Sequence, residues 1–353
     1  MLVLEKDKTP LHAAVDSVFD KNTADFWLQK LNPLWSVYQP LGKIIKKEHV
    51  AHDLVSLTLQ VNRHFNFGEA GQHHPVYVVV DGVRYERSYS LTRVDAQHML
   101  LSVKKVENGL VSTQLTEHTQ VGDILEFGQP FGDMTLAETQ KSLLLLAAGS
   151  GITPMLSMLE ARAVEKTQNS APIELMYWVK TAEDAAFKQR FEQLKQSLPH
   201  FKFQIFYTQQ SDARLNQAQV EQCTDLSETT VYACGPSGFV ATVETLFASA
   251  TQLKTEAFSL SELASDEEGF IQVTLTQSNQ IISIPKGQSI LVGLEQQNIK
   301  PKHGCRMGIC NKCACNKVEG ATKNLVNGTQ NKEPGNLLKI CVNSAQSDLV
   351  IDL

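Results

Sequence analysis

Four cysteines near the C-terminus, Cys305, Cys310, Cys313 and Cys341, constrain this chain more than any other feature. Their spacing is C-x4-C-x2-C, with the last cysteine 28 positions further on. Three thiolates from one tight loop and one from a remote segment can close around two irons, which is the spacing of a 2Fe–2S site. The run reads HGCRMGICNKCAC, and Gly304 and Gly308 let its backbone wrap closely and turn amides toward sulfur. A structural zinc site also takes four cysteines, but it usually shows two short paired motifs. A Rieske centre needs two histidines, and only His303 lies nearby. Cys315 is off-pattern and reads as a small buried thiol. Such a cluster moves one electron at a time, so the chain needs an electron source.

A length of 353 residues suggests two or three domains, and 42% hydrophobic residues suffice for ordinary cores. Of seven cysteines, Cys223, Cys234 and Cys315 remain outside the quartet. An odd remainder disfavours a disulfide framework and fits a reduced, cytoplasmic setting. The net charge of −6 argues against nucleic acid as a partner. The N-terminus lacks an apolar core of signal-peptide length. The longest apolar run, Leu143 to Ala148, is far short of the roughly 20 residues that span a bilayer. A soluble protein is expected.

Residues 1–38 read as a helical extension crowded with Phe26, Trp27, Leu28, Leu31, Leu34, Trp35 and Tyr38. It would pack on its own chain or make peripheral contact with a membrane or a membrane-bound partner. Residues 39–135 alternate as short strands, with Asp81-Gly82 as a hairpin turn, which predicts an antiparallel β-barrel. Residues 136–254 alternate strand and helix, which predicts a parallel, doubly wound α/β sheet. The polar stretch 255–268 reads as a linker. Residues 269–353 open as hairpin then helix and hold the cysteines. They carry nine Lys and Arg against five Asp and Glu, a balance of +4 that leaves −10 on the rest.

Four short motifs carry chemistry. Arg87-x-Tyr89-Ser90, followed by Leu91, ends a strand. An arginine there can hold a phosphate bidentately, and Tyr89 and Ser90 can meet a flavin ring, Ser90 near N5. Gly109-Leu110-Val111-Ser112 enters a helix, where free amides favour phosphate; Ser112 is otherwise an ordinary cap. Gly149-Ser150-Gly151-Ile152-Thr153-Pro154 follows the first strand of the α/β half, at the rim where open sheets bind ligands. It is not G-x-G-x-x-G. Cys234-Gly235-Pro236 ends a later strand on the same rim, and its thiol or thiolate could sit beside a nicotinamide. His73 and His74 read as strand residues rather than ligands.

In this order the motifs resemble those of the ferredoxin–NADP reductase superfamily, over residues 40–353. With its cysteine domain, the chain resembles reductase components of multicomponent oxygenases and desaturases. NPLWS at 32–36 and AGQH at 70–73 make it similar to bacterial reductases that serve membrane fatty-acyl desaturases. The resemblance implies a six-stranded flavin barrel, a nucleotide domain and an α+β, β-grasp ferredoxin domain. It assigns Arg87, Tyr89, Ser90, Leu91, Gly109 and Ser112 to the flavin, with Phe258 covering the ring. Gly149, Gly151, Thr153, Cys234, Gly235 and Pro236 would hold the nucleotide, and Ser90 and Cys234 would stand at the reacting atoms. The flavin is read as FAD, with FMN open. Thr208 and Arg214 are placed for a 2′-phosphate and favour NADPH, while Asp212 leaves NADH open. The implied activity passes a hydride from NAD(P)H to the flavin. Single electrons then run through the 2Fe–2S cluster to a terminal oxidase, a desaturase or, as the alternative, a Rieske-type oxygenase.

Overall fold

The computed structural model describes residues 21–107, 109–136, 141–164, 171–210, 213–223, 226–259, 269–326 and 328–353. Residues 1–20 of the extension, Asp212, and 260–268 of the stretch read as a linker lie outside the described residues. Helix α1 (Lys21–Leu31) stops before Pro33, so the extension is helical only in part. Buried Asp25 accepts hydrogen bonds from Ser36 Oγ at 2.8 Å and the Val37 amide at 2.5 Å. The Asn62 amide reaches the Leu34 and Gln39 carbonyls at 3.2 and 2.9 Å. The extension is thus tied to the body through polar groups, and Phe26, Trp27, Leu31, Trp35 and Tyr38 face outward.

Strands β1 (Leu41–Ala51), β2 (Leu54–Val61), β3 (His73–Val80), β4 (Val83–Arg93), β5 (His98–Lys104) and β6 (Ile124–Phe127) close a barrel in the order β1-β2-β5-β4-β3-β6. All its pairs are antiparallel. The β3–β4 turn is the expected two-residue Asp81-Gly82, with φ of 51° and 77°. Positive φ at both positions is what a hairpin with native twist requires. Alternating apolar residues such as Val55, Leu57, Leu59, Val76 and Leu101 fill the interior. Helix α2 (Leu110–Thr113), continued by a π-helical turn over Gln114–His118, interrupts the barrel where a helix was expected.

The second domain is a parallel sheet of β7 (Ser142–Ala148), β8 (Ile173–Val179), β9 (Phe201–Tyr207), β10 (Thr229–Pro236) and β11 (Gln252–Ser259), ordered β11-β10-β7-β8-β9. Strand β7 is apolar on both sides. Leu143, Leu145 and Ala147 pack toward α3 (Ile152–Val164) and α4 (Lys188–Ser197). Leu144, Leu146 and Ala148 pack on the opposite face with α6 (Ser237–Leu246), beyond the short α5 (Gln217–Glu221). A strand buried on both faces is the mark of a covered parallel sheet. The order reverses between β7 and β10, which opens a crevice at their C-terminal ends. The sheet runs to Ser259, so 255–259 is strand and not linker; parallel pairing with β10 overrides the polar composition there.

The third domain has β12 (Phe270–Leu275), β13 (Gln280–Pro285), α7 (Ile290–Gln296), β14 (Ala314–Glu319), β17 (Asn336–Lys339) and β19 (Leu349–Asp352), ordered β13-β12-β19-β14-β17. Strands β12 and β19 are parallel and the other pairs antiparallel, with α7 packed on the sheet, as a β-grasp domain requires. A second small sheet joins β15 (Thr322–Asn324), β16 (Gln330–Asn331) and β18 (Asn343–Ala345).

On β3, His74 is buried against Phe65, rings stacked 5.2 Å apart, with Nε2 2.9 Å from the Asn66 carbonyl. It is a core residue, as its strand position suggested. Burial lowers its pKa from 6.5 to about 4. The unfolded chain therefore takes up a proton between pH 6.5 and 4 that the native chain refuses, so native stability falls with pH in that window. The loss should approach about 3 kcal/mol, read from urea unfolding at pH 7 and pH 4.5. His74→Phe should remove that part of the pH dependence.

Candidate functional site

Strand β4 presents the flavin motif. Ser88 and Ser90 lie on one side of the strand, while Arg87 and Tyr89 alternate to the other. Ser90 is paired directly with His73 of β3, and its Oγ is 3.0 Å from His73 Nδ1. His73 Nε2 is in turn 2.6 Å from Oε1 of Glu256, on β11 of the nucleotide domain. All three residues are buried or nearly so. Phe258, two residues on and therefore on the same side of β11, sets its ring edge-on to His73 at 5.8 Å. The structure thus brings Ser90 and Phe258 together through a histidine and a glutamate that sequence reasoning did not place. The signal was present in AGQH and in TEAF, where only the phenylalanine had been singled out.

The Ser88 hydroxyl, Glu256 Oε2 and His73 Nε2 are buried without a hydrogen-bond partner among the described residues, His73 Nε2 despite its close approach to Glu256. Buried polar atoms are normally satisfied, so three orphans on these strands fit a site built for a polar ring system. Arg87 donates from Nη1 to the Glu86 carbonyl at 2.7 Å. Its pKa is lowered, first by burial and then by the Arg306 guanidinium of the cysteine-bearing domain. Burial also pushes the Tyr89 hydroxyl up, and Leu91 belongs to the barrel core. Ser112 donates to the Gly109 carbonyl at 3.0 Å and accepts from the Val106 amide at 3.1 Å. The hydroxyl is used within its own turn, but the helix is capped by Gly109 and Ser112 lies inside it, so the ordinary-cap reading of Ser112 does not hold.

The crevice at the reversal of strand order is a cleft of about 700 Å³, lined by Gly149, Ser150, Thr208, Arg214, Pro236 and Gly238 among others. It joins Gly149 and Pro236, two of the six residues read for the nucleotide, with Thr208 and Arg214, the two read for a 2′-phosphate; Gly151, Thr153, Cys234 and Gly235 do not line it. Gly149 has φ of 55° and open space where a Cβ would stand. At Gly151 a Cβ would lie 2.0 Å from the Cys234 carbonyl, so this turn packs backbone to backbone on the end of β10. Thr153 is buried beneath the turn, its hydroxyl donating to the Ser150 carbonyl at 3.2 Å. Cys234 is fully buried, and burial, then Glu256, raise its pKa well above the ordinary value. It is held as a thiol and not a thiolate.

In the third domain the cysteines form two contact pairs, Cys305 with Cys310 and Cys313 with Cys341. The Cys305 amide points at Cys310 Sγ at 3.3 Å, and the Met307 and Cys310 amides point at Cys305 Sγ at 3.4 and 3.3 Å. The neighbouring thiol is the largest influence on each lower member of a pair, pulling Cys310 and Cys313 below the ordinary thiol range. Among the described residues no three His, Cys, Asp or Glu side chains converge on one metal position. Two pairs, one for each iron, suit a two-iron cluster better than a single tetrahedral ion.

Three domain matches fall in the same order: an oxidoreductase FAD-binding domain over 41–136, an oxidoreductase NAD-binding domain over 145–245 and a 2Fe-2S iron-sulfur cluster binding domain over 273–343. An NADPH oxidoreductase of Mycobacterium tuberculosis is 30% identical over 340 residues, covering 93% of this chain and 88% of its own. Phthalate dioxygenase reductase of Burkholderia cepacia is 28% identical over 321 residues, covering 88% and 96%. A solved phthalate dioxygenase reductase superposes with a TM-score of 0.65 at 27% identity, covering 89% of this chain and 98% of its own. The chain belongs to the ferredoxin–NADP reductase family of flavin and iron–sulfur reductases. It is an NAD(P)H-dependent electron-transfer reductase with FAD and a 2Fe–2S cluster.

His73 is one link between barrel and sheet, and its removal takes away the close neighbour of buried Glu256. His73→Leu should cost about 1–3 kcal/mol in urea unfolding. Adding Glu256→Leu should recover part of that loss, since no buried carboxyl is then left without a partner.

Proposed function

We propose that this reductase feeds a membrane-bound fatty-acyl desaturase. The observation that carries the reading is the extension, which precedes the three matched domains and displays Phe26, Trp27, Leu31, Trp35 and Tyr38 outward; Trp27 is 65% and Trp35 51% exposed. A cluster of exposed aromatic residues on a polar-anchored arm suits the interface of a bilayer. No helix among the described residues is long and apolar enough to cross one, so contact would be peripheral. The NPLWS and AGQH motifs support the same reading. A second reading, reductase component of a soluble oxygenase, is favoured by the phthalate dioxygenase reductase relatives.

When bound, NAD(P)H and FAD would supply hydride transfer and the 2Fe–2S cluster single-electron transfer. The chain supplies position and electrostatics. Arg87 and Ser112 would hold the flavin phosphate, with Tyr89 and Phe258 against the ring. Ser90, oriented by His73, would hydrogen-bond N5. Gly149 and Gly151 would let the nucleotide approach the backbone, Cys234 and Pro236 would bound the nicotinamide, and Cys305, Cys310, Cys313 and Cys341 would ligate the irons.

The holoprotein should co-float with vesicles of phosphatidylcholine and phosphatidylglycerol, and Trp27→Ala/Trp35→Ala should not. Electron delivery to a soluble oxygenase, with no vesicle binding by the unaltered protein, would overturn the desaturase reading. For the nucleotide we infer NADPH, from Arg214 and Thr208 in the cleft. Arg214→Ala should raise KM for NADPH about tenfold, the loss of one charge-assisted hydrogen bond, and leave KM for NADH unchanged in steady-state assays.

A further inference from the structure

Lys312 occupies the x2 interval between Cys310 and Cys313, so its backbone is part of the cluster loop. Its Nζ lies 2.6 and 2.7 Å from the two carboxylate oxygens of Glu86. Glu86 is on β4, immediately before Arg87 of the flavin motif and 226 residues away in the chain. The Glu86 side chain is 14% exposed, so it is largely shielded, while Lys312 is 42% exposed. The approach is close on both sides of the loop. A Cβ built on Gly304 would stand 2.7 Å from Glu86 Oε1 and 3.0 Å from Cys310 Sγ. Arg306 of the same loop is bound by Glu295 through Nη1 and Nη2, and Glu86 is the acidic partner of Lys312.

We propose that Glu86 and Lys312 are positioning residues for electron transfer: their ion pair latches the cluster loop onto the flavin strand and sets the distance between the two redox centres. This rests on the flavin-to-cluster relay. Each transfer removes one electron from reduced FAD and adds one to the cluster, and no bond forms or breaks in the pair itself. Tunnelling falls steeply with distance, so a contact holding the loop against β4 acts on that step and not on hydride transfer from NADPH. A single ion pair with one exposed partner contributes little to stability and is screened by salt. Domains joined by so weak a contact move relative to one another by default. The latch can therefore close for loading of the cluster and open for its delivery to an acceptor.

The test is anaerobic rapid mixing of the iron-loaded, flavin-loaded protein with NADPH, following flavin bleaching and cluster reduction separately, with small-angle scattering of the same samples. Glu86→Lys and Glu86→Gln lie outside the cluster loop and should retain iron. Each should slow cluster reduction roughly three- to fivefold, with the hydride step as internal control, and should enlarge the radius of gyration. The charge swap Glu86→Lys/Lys312→Glu should restore both readouts, and raised salt should mimic the single variants in the unaltered protein. Cluster reduction in Glu86→Lys as fast as in the unaltered protein would overturn the proposal, as would a slowed rate that the iron-replete swap fails to restore. An unaltered protein whose flavin bleaches while its cluster stays oxidised would instead overturn the relay itself.

Discussion

Electrons can pass through this molecule only if three separately folded units hold their sites against one another, and the contact that joins the first two is buried His73. It stands between Ser90 on the barrel and Glu256 on the last strand of the sheet, at 3.0 and 2.6 Å. A buried polar chain of this kind has few alternatives, because any slip leaves a desolvated carboxylate or imidazole without a partner. Hydrogen bonds share the seam with this contact: Ser157 Oγ to the Leu91 carbonyl at 3.0 Å and Tyr232 Oη to the Thr135 carbonyl at 2.7 Å. Barrel and sheet are thereby fixed, and so is the relation of flavin motif to nucleotide cleft.

The third unit is held differently. The Lys312–Glu86 pair is partly open to solvent. Water and salt weaken it, and no stranded buried charge penalises its release. The contrast matches the chemistry of the two junctions. Hydride transfer needs two rings in fixed contact, whereas an electron must first enter the cluster and then leave for another protein. The basic balance of the cluster domain, +4 against −10 on the rest, adds a long-range attraction within the chain that salt also screens.

Much of the candidate site was legible because its motifs are local. The C-x4-C-x2-C loop, the G-S-G-I-T-P turn and R-x-Y-S each lie within a short stretch of chain, so spacing reports local geometry directly. Asp81-Gly82 announced its hairpin for the same reason. What stayed hidden joins elements far apart in sequence. His73 reads as a strand residue and Glu256 as part of a linker, and they acquire a role only when β3 and β11 meet. Nothing in the sequence pairs Glu86 with Lys312, 226 residues apart, until the third domain is placed. The polar stretch after residue 254 resembled a linker because composition does not register strand pairing; β10 recruits 255–259 into the sheet.

The sequence alone therefore determined the three domains in order, the alternation of strands that closes one barrel and covers one parallel sheet, and the four cysteines that are the candidate cluster ligands. These follow from residue periodicity and short-range spacing. Tertiary structure decided which charges meet, that Cys234 is kept as a buried thiol, and that Thr153 and Ser112 use their hydroxyls within their own turns. Those outcomes depend on desolvation and on partners brought from distant segments, and neither quantity is carried by any stretch of chain on its own.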